Sequence, residues 1–351
     1  MLNLVENSRQ LKLEVIYEGA NITSYISNDI ISFSYSDSFN EFDSIELTIE
    51  NRDNRWLESW EPLKGEKIAA NFILTNWENN KEVVLTLGEF YIDDISYSGP
   101  PDIVNIKALS VDITSNIMDE KKSRVWENVT LEKIARDIAI ENNLELLFLA
   151  EFNREFKRSE QKLESSFNYI KRISKEAGIS VKIYSNKLIL FEDEMYEKTN
   201  PVITLDKTNL FSYQLADDDT DTYSGCKITY FDSKLGEKQE ATFYTKQRPG
   251  YKRGTQRLLF INEEKYVPGE TRKQKEEYLA KIAAKALREK NKNAVKGSIS
   301  ILGKEKFISV GDTINLTGLG NKSGKYIITE VQIEYPSYVM NLQIRKVMED
   351  E

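Results

Sequence analysis

From Leu11 to about Val111, apolar and polar residues alternate in short runs: LKLEVIY, IISFSYS, SIELTIE, EKIAANFIL, VVLTLGEFYIDDI and IVNIKAL. A period of two sends like side chains to one face, as in half-buried strands. Turn-forming residues separate the runs: Asn51, Asp53 and Asn54, then Pro62 and Gly65, then Gly99-Pro100-Pro101. Consecutive hairpins follow, and the region reads as an antiparallel barrel or sandwich.

Between Thr114 and Asn200 the period changes. Leu131, Ile134, Ala135, Ile138 and Ala139 recur at helical spacing, with Thr130 placed to cap the first turn. A second helix follows Ser165 or Ser166, buries Phe167, Ile170, Ile173 and Ala177, and stops at Gly178, which tolerates a left-handed end. ISVKIYS and KLILFED then read as a hairpin. After Pro201 strands return in SGCKITYF and EATFYT, and a third helix spans about 271–291. It carries Leu279, Ile282, Ala283, Ala286 and Leu287 on one face and Lys275, Glu276, Lys281, Lys285 and Arg288 on the other. GSISILG, FISVGDTINLTG, GKYIITEVQIEY and VMNLQIRKV close the chain as strand and turn. The fold class is α+β and mainly β, in three segments: 1–113, 114–200 and 201–351.

The two β-rich ends repeat one pattern. Gly65-Glu66-Lys67-Ile68 and Gly311-Asp312-Thr313-Ile314 both read G-[DE]-x-I at a strand start. Gly88-Glu89-Phe90-Tyr91-Ile92-Asp93-Asp94-Ile95 matches Gly324-Lys325-Tyr326-Ile327-Ile328-Thr329-Glu330-Val331 as G-x-[FY]-x-I-x-[DE]-[IV]. An alternating strand precedes each pair and another follows it, so the ends read as two copies of one barrel. Antiparallel hairpins in general share a turn glycine and alternation, which is the competing explanation.

A length of 351 residues implies two or three domains, and 40% hydrophobic with 30% charged residues describes a folded chain. With 48 basic and 57 acidic side chains, the net charge of −9 favours neither nucleic acid nor anionic lipid. Glu6, Arg9, Lys12 and Glu14 interrupt the N-terminus, and no run approaches the ~20 apolar residues of a membrane span. Production and assembly in the cytosol are expected. Histidine is absent, which removes Ser/His/Asp triads, Cys/His pairs and His-ligated zinc. The single cysteine, Cys226, sits in the strand-like GCKITYF and reads as a buried, inert thiol. Asp217-Asp218-Asp219-Thr220-Asp221 suggests a calcium loop, but Thr222 and Ile228 stand where an EF-hand needs Gly and Glu. No catalytic residue, metal or cofactor is expected.

The order and spacing of these motifs resemble the late control D proteins of phage tails. These are hubs of contractile baseplates, related to the hub part of type VI secretion spike proteins. The resemblance rests on Phe42-Asp43-Ser44-Ile45-Glu46-Leu47, Asn51-Arg52-Asp53, Trp56, Gly65 and Gly88-Glu89-Phe90-Tyr91-Ile92-Asp93. It continues through Ser165-Ser166-Phe167-Asn168-Tyr169-Ile170-Lys171-Arg172-Ile173 with Glu176-Ala177-Gly178. It ends on Ala280, Ala283, Ala284 and Ala286, then Gly297, Gly303, Gly311-Asp312, Leu319-Gly320 and Gly324-Lys325-Tyr326. Family members often end this last strand near a histidine, where Glu334-Tyr335 stand here.

The resemblance implies two tube-type antiparallel β-barrels with a small α/β domain between them, and a structural, non-enzymatic role. It implies a homotrimer whose six barrels match a trimeric spike to a hexameric tail tube. Further partners would be a tube-initiator protein, the tape measure protein and the baseplate wedge, without specific nucleic-acid binding or membrane insertion. The product would be assembled in the bacterial cytoplasm and released in a virion or an R-type bacteriocin. Lys246–Val267 concentrates Lys246, Arg248, Lys252, Arg253 and Arg257 around Tyr251 in an acidic protein. Arg248, Tyr251, Lys252, Arg253 and Arg257 are the candidate subunit or tube contact, against the alternative of a solvated loop. Rival readings are a tail-tip receptor or carbohydrate-binding module and a cell-wall hydrolase. The latter needs a carboxylate pair that no motif singles out.

Overall fold

The structure, a computed structural model, describes residues 8–350 apart from 40, 79–81, 112–116, 119, 185, 233–235, 249–256 and 264. Strands dominate. The first unit contains β1 (Gln10–Tyr17), β2 (Ala20–Asn21), the one-turn α1 (Thr23–Ile26), β3 (Ile30–Ser38), β4 (Ser44–Glu50), β5 (Lys67–Thr75), β6 (Glu82–Ser98) and β7 (Ile103–Leu109). In β4 the alternation is complete: Ile45, Leu47 and Ile49 are buried, while Ser44, Glu46, Thr48 and Glu50 are half-exposed. The strands order as β3-β4-β7-β6-β5-β1, every neighbour antiparallel.

The middle of the chain forms β8 (Lys121–Thr130), α2 (Leu131–Glu141), β9 (Glu145–Leu149), β10 (Glu155–Ser165), α3 (Ser166–Glu176), β11 (Ser180–Tyr184), β12 (Lys187–Phe191) and α4 (Asp193–Glu197). Thr130 caps α2, its Oγ1 accepting from the Lys133 N–H at 3.3 Å. Ser165 caps α3 in the same way, accepting from the Asn168 N–H. Each such cap contributes about 1 kcal/mol. Gly178, at φ +70, lets the chain leave α3. The α2 and α3 faces lie over β9-β12-β11, and β8 pairs with β10 as a two-stranded ribbon.

The last part holds β13 (Ile203–Asp206), β14 (Leu210–Asp217), β15 (Gly225–Asp232), β16 (Glu237–Tyr244), β17 (Gln247–Arg248), β18 (Leu258–Glu263) and α5 (Arg272–Asn291). It closes with β19 (Val295–Leu302), β20 (Thr313–Thr317), β21 (Gly324–Tyr335), β22 (Val339–Lys346) and β23 (Glu349–Asp350). Thr271 and Gln274 form a capping box at the start of α5, which lies on the β16-β15-β18 sheet. The polar face expected for this helix is only partly solvated. Lys275 is buried and paired with Asp232, and Lys285 and Arg288 reach the buried carboxylates of Glu192 and Glu197. Neighbours on both sides of the helix supply anions that periodicity cannot register.

Strands β14-β19-β22-β21-β20-β13 form a second unit in the order of the first. The match extends to individual residue pairs. Ile92 faces Ala108 and Asp94 faces Lys107 across a bulge; Ile328 faces Ile344 and Glu330 faces Gln343 across a bulge at the same motif position. A second bulge separates Ile30 from Ser32, and its counterpart separates Leu210 from Ser212. The Gly65 N–H donates to the Ile92 carbonyl at 2.8 Å, and the Gly311 N–H to the Ile328 carbonyl at 3.0 Å. Gly65 and Gly311 share a left-handed φ of 88 and 92. Coincident bulges and turns are features of a duplicated backbone, not of alternation in general. The units differ at one edge, where β1 runs antiparallel to β5 and β13 runs parallel to β20.

The units are not separate sheets. The twelve residues of β21 pair with β20 through their first part and with β3 through Glu330–Tyr335, fusing the two into one sheet of thirteen strands. Among the described strands no closed barrel is traced. One core spans both units, from Leu13 and Phe33 to Met340 and Ile344. A second joins α2, α3, β11 and β12 to Cys226, Ile228, Leu279 and Ala283.

Candidate assembly surface

The joint between units is an antiparallel pairing of β21 with β3: Val331 opposite Asp37, Ile333 opposite Tyr35, Tyr335 opposite Phe33. Ile333, Tyr35 and Phe33 are each 1% exposed. By the matched registers, Tyr35 corresponds to Leu215 of β14 and Ile333 to Tyr97 of β6. These counterparts have no such cover. Strand β5 accompanies β6 only as far as Tyr91, and β14 pairs with β19 alone, so among the described strands none lies along the outer edge of Asp94–Ser98 or of β14. Phe211, Tyr213 and Tyr97 are 62%, 44% and 38% exposed.

Two ionic clusters pin the middle of the chain to this sheet. Lys182 of β11 inserts between the buried Asp37 and Asp43, pairing with Asp37 and lying 3.2 Å from Asp43. The Val310 N–H donates to Asp37 at 3.1 Å, so three parts of the chain meet there. Burial and the Asp37 charge raise the Asp43 carboxyl to about 7, with Lys182 pulling the other way. Across the joint, Arg345 of β22 is 2% exposed and bridges Glu197 at 2.5 Å and Asp193 at 3.0 Å. Lys292 also pairs with Asp193, and Arg288 with Glu197. Burial alone would raise Asp193, but Lys292 and Arg345 outweigh it and hold the carboxyl at about 2. These groups fix rigid geometry between parts.

Residues 258–263 of the basic segment form β18 of the β16-β15-β18 sheet. Arg248 is exposed in β17, which pairs with β23 near the C-terminus. Arg257 is exposed, with its guanidinium 4.8 Å from the Tyr223 ring centroid and its Nη1 donating to the Asp219 carbonyl at 3.4 Å. Tyr251, Lys252 and Arg253 lie outside the described residues. Phe231 and Phe260 stand exposed on β15 and β18 nearby. Cys226 is fully buried, and burial raises its thiol to about 11, so it is an inert core residue. The aspartates 217–221 are used locally: Asp217 pairs with Lys322, Asp218 accepts from Thr220, and Asp221 from Tyr223. A cleft of about 710 Å³ between β6 and the α2–β9 turn is lined by Asp43, Glu89, Tyr91, Lys122, Asn142 and Tyr184.

No family model matches the chain. The probable baseplate hub protein of Escherichia phage 186 is 25% identical over 234 residues, covering 65% of this chain and 58% of that protein. That of Escherichia phage P2 is 22% identical over 226 residues, covering 63% and 56%. The chain is thus similar in sequence to phage baseplate hub proteins. It spans a little over half the length of these hubs. Among solved structures, the 43 kDa tail protein of prophage MuSo2 from Shewanella oneidensis shares the fold at a TM-score of 0.63 and 12% identity, covering 96% of this chain and 97% of that one. The E. coli c3393 protein, a component of the type VI secretion system, does so at 0.55 and 10%, covering 95% and 76%.

The strand edges of the joint went unread in the sequence. Pairing between distant strands leaves no local signal, and β14 reads as strand whether or not its outer edge is covered.

Proposed function

We propose that this chain is the structural hub of a contractile phage tail or phage-tail-like particle, a homotrimeric adaptor between a trimeric spike and a hexameric tail tube. In this reading each six-strand unit is a tube-type barrel, with the chain divided near residues 113 and 200. The excursion from β15 to α5 leaves the second barrel and packs on the middle unit. The residue-by-residue repeat of the two units carries the reading. Three chains with two like units present six like surfaces, so a hexameric tube ring docks without a symmetry clash while the spike meets three. The kinship to the hubs of phages 186 and P2 supports it.

The role is recognition and rigidity without catalysis. The chain assembles in the bacterial cytoplasm and leaves in the baseplate of the released particle. The segment around Arg248, Tyr251, Lys252, Arg253 and Arg257 is the subunit or tube contact. Tape measure, tube-initiator and wedge proteins are further partners.

Removing the chain from a particle-producing strain tests the proposal. Spikes and tube subunits should accumulate unassembled, with particles restored when the chain is supplied in trans. Normal particles without it contradict the proposal.

A further inference from the structure

The inner joint of the chain specifies a second, empty joint. Within one chain the outer edge of β3 takes the distal half of β21. The equivalent of β3 is β14 and the equivalent of distal β21 is distal β6, and among the described strands both edges are uncovered. We infer that β14 of one copy adds to distal β6 of a second copy of this chain, in the register of the inner joint. The inference rests on the hub reading for the number of copies that close the ring, and on the registers alone for the contact.

Transferring the inner pairs residue by residue gives the contact. Val331 opposite Asp37 becomes Ile95 opposite Asp217. Gln332 opposite Ser36 becomes Ser96 opposite Ala216, and Ile333 opposite Tyr35 becomes Tyr97 opposite Leu215. Glu334 opposite Ser34 becomes Ser98 opposite Gln214. The buried apolar pair of the inner joint thus has an apolar counterpart on the same sheet face, with the aromatic moved from one strand to the other. Tyr213, equivalent to Phe33, falls opposite Gly99, whose side-chain position is filled by the Asp102 carboxylate.

The surface has the character such a contact needs. An open edge presents unpaired N–H and C=O groups to any chain that can extend the sheet, and side-chain pairs select the register. Almost all of β14 is exposed, from Phe211 to Asp217 apart from Leu215, whereas β3 buries Phe33, Tyr35, Asp37 and Ser38. At the far end Glu330 opposite Ser38 becomes Asp94 opposite Asp218; Lys64 lies 3.7 Å from Asp94, and Lys322 pairs with the adjoining Asp217, which offset the like charges. Close approach of β14 to its own sheet depends on Gly297, where an added Cβ would lie 1.9 Å from the Gln214 carbonyl oxygen. The β14 strand is therefore held flat against β19 with its other edge outward. The contact uses different edges on the two copies, so it is head-to-tail and propagates until it closes.

Cross-linking in the full chain tests the register. Ser96→Cys with Ala216→Cys, both exposed and directly opposite, should give disulfide-linked species under a mild oxidant up to three times the chain mass. Ser96→Cys with Leu215→Cys places the thiols on opposite sheet faces and should give none. As a second reading on the unaltered protein, amides of 94–98 and 210–217 should exchange more slowly in the assembled form than in the monomer. An assembly of three chains with no Ser96–Ala216 cross-link and no protection overturns the edge pairing and leaves the hub reading standing. A cross-link in the predicted pair within an open or two-chain species overturns the hub stoichiometry and keeps the edge pairing. A monomer under all conditions, with the spike present, overturns both.

Discussion

Asp43→Asn probes how the middle unit is held to the sheet. Asp43 is fully buried between Asp37, Tyr35 and Lys182, and two carboxylates share one ammonium. Burial and Asp37 raise its pKa from 3.8 to about 7. The folded state therefore keeps a proton from about pH 4 to about pH 7 that the unfolded chain has released. The associated stability is fully present below pH 4, declines as pH rises, and levels off above 7. Each unit of difference is worth about 1.4 kcal/mol, so the whole change is on the order of 4 kcal/mol, of which roughly 3 kcal/mol falls between pH 5 and pH 8. Asparagine keeps the shape and the neutral state at every pH. Urea unfolding of both proteins at pH 5 and pH 8 cancels other titrating groups in the difference. Relative to wild type, Asp43→Asn should gain roughly 3 kcal/mol on going to pH 8. Parallel profiles for the two proteins would refute a raised Asp43 carboxyl in this cluster.

At the other cluster, Arg345→Met leaves Asp193 and Glu197 short of a buried cation and should cost about 3 kcal/mol by urea titration, the lower end for a broken buried pair because Lys292 and Arg288 remain. Because Asp193 is held at about 2, that cluster's contribution should persist above pH 4 and fade as pH falls towards 2, which acid unfolding monitored by circular dichroism would follow. Gly311→Ala places a side chain at φ +92 and 3.3 Å from the Tyr196 ring, and calorimetry should show a loss of about 1–3 kcal/mol. Arg253→Glu with Arg257→Glu should weaken assembly with spike and tube in a co-sedimentation assay; unchanged assembly would remove this segment from the interface.

How much of this was legible depends on the range of each signal. Alternation exposed β4 and β7 because each buries one face, and Thr130 and Ser165 were readable as caps because capping is local. The paired glycine motifs marked the duplicated unit because a left-handed turn and a bulge constrain residue type at fixed positions. The fused sheet was not legible, since Glu330–Tyr335 alternates identically whether it meets β3 or solvent. Lys275, Lys285 and Arg288 read as a solvated helix face because their anionic partners come from elsewhere in the chain. The middle unit's use of Lys182 and Arg345 as buried ties escaped for the same reason.

Under the proposed function the chain assembles as three copies around a spike. Light scattering of the purified protein, alone and mixed with a candidate spike protein, measures this stoichiometry. A trimer, or a monomer that becomes a three-to-three complex with the spike, is the expected result. A monomer that ignores the spike would contradict it and would favour a tail-tip binding module.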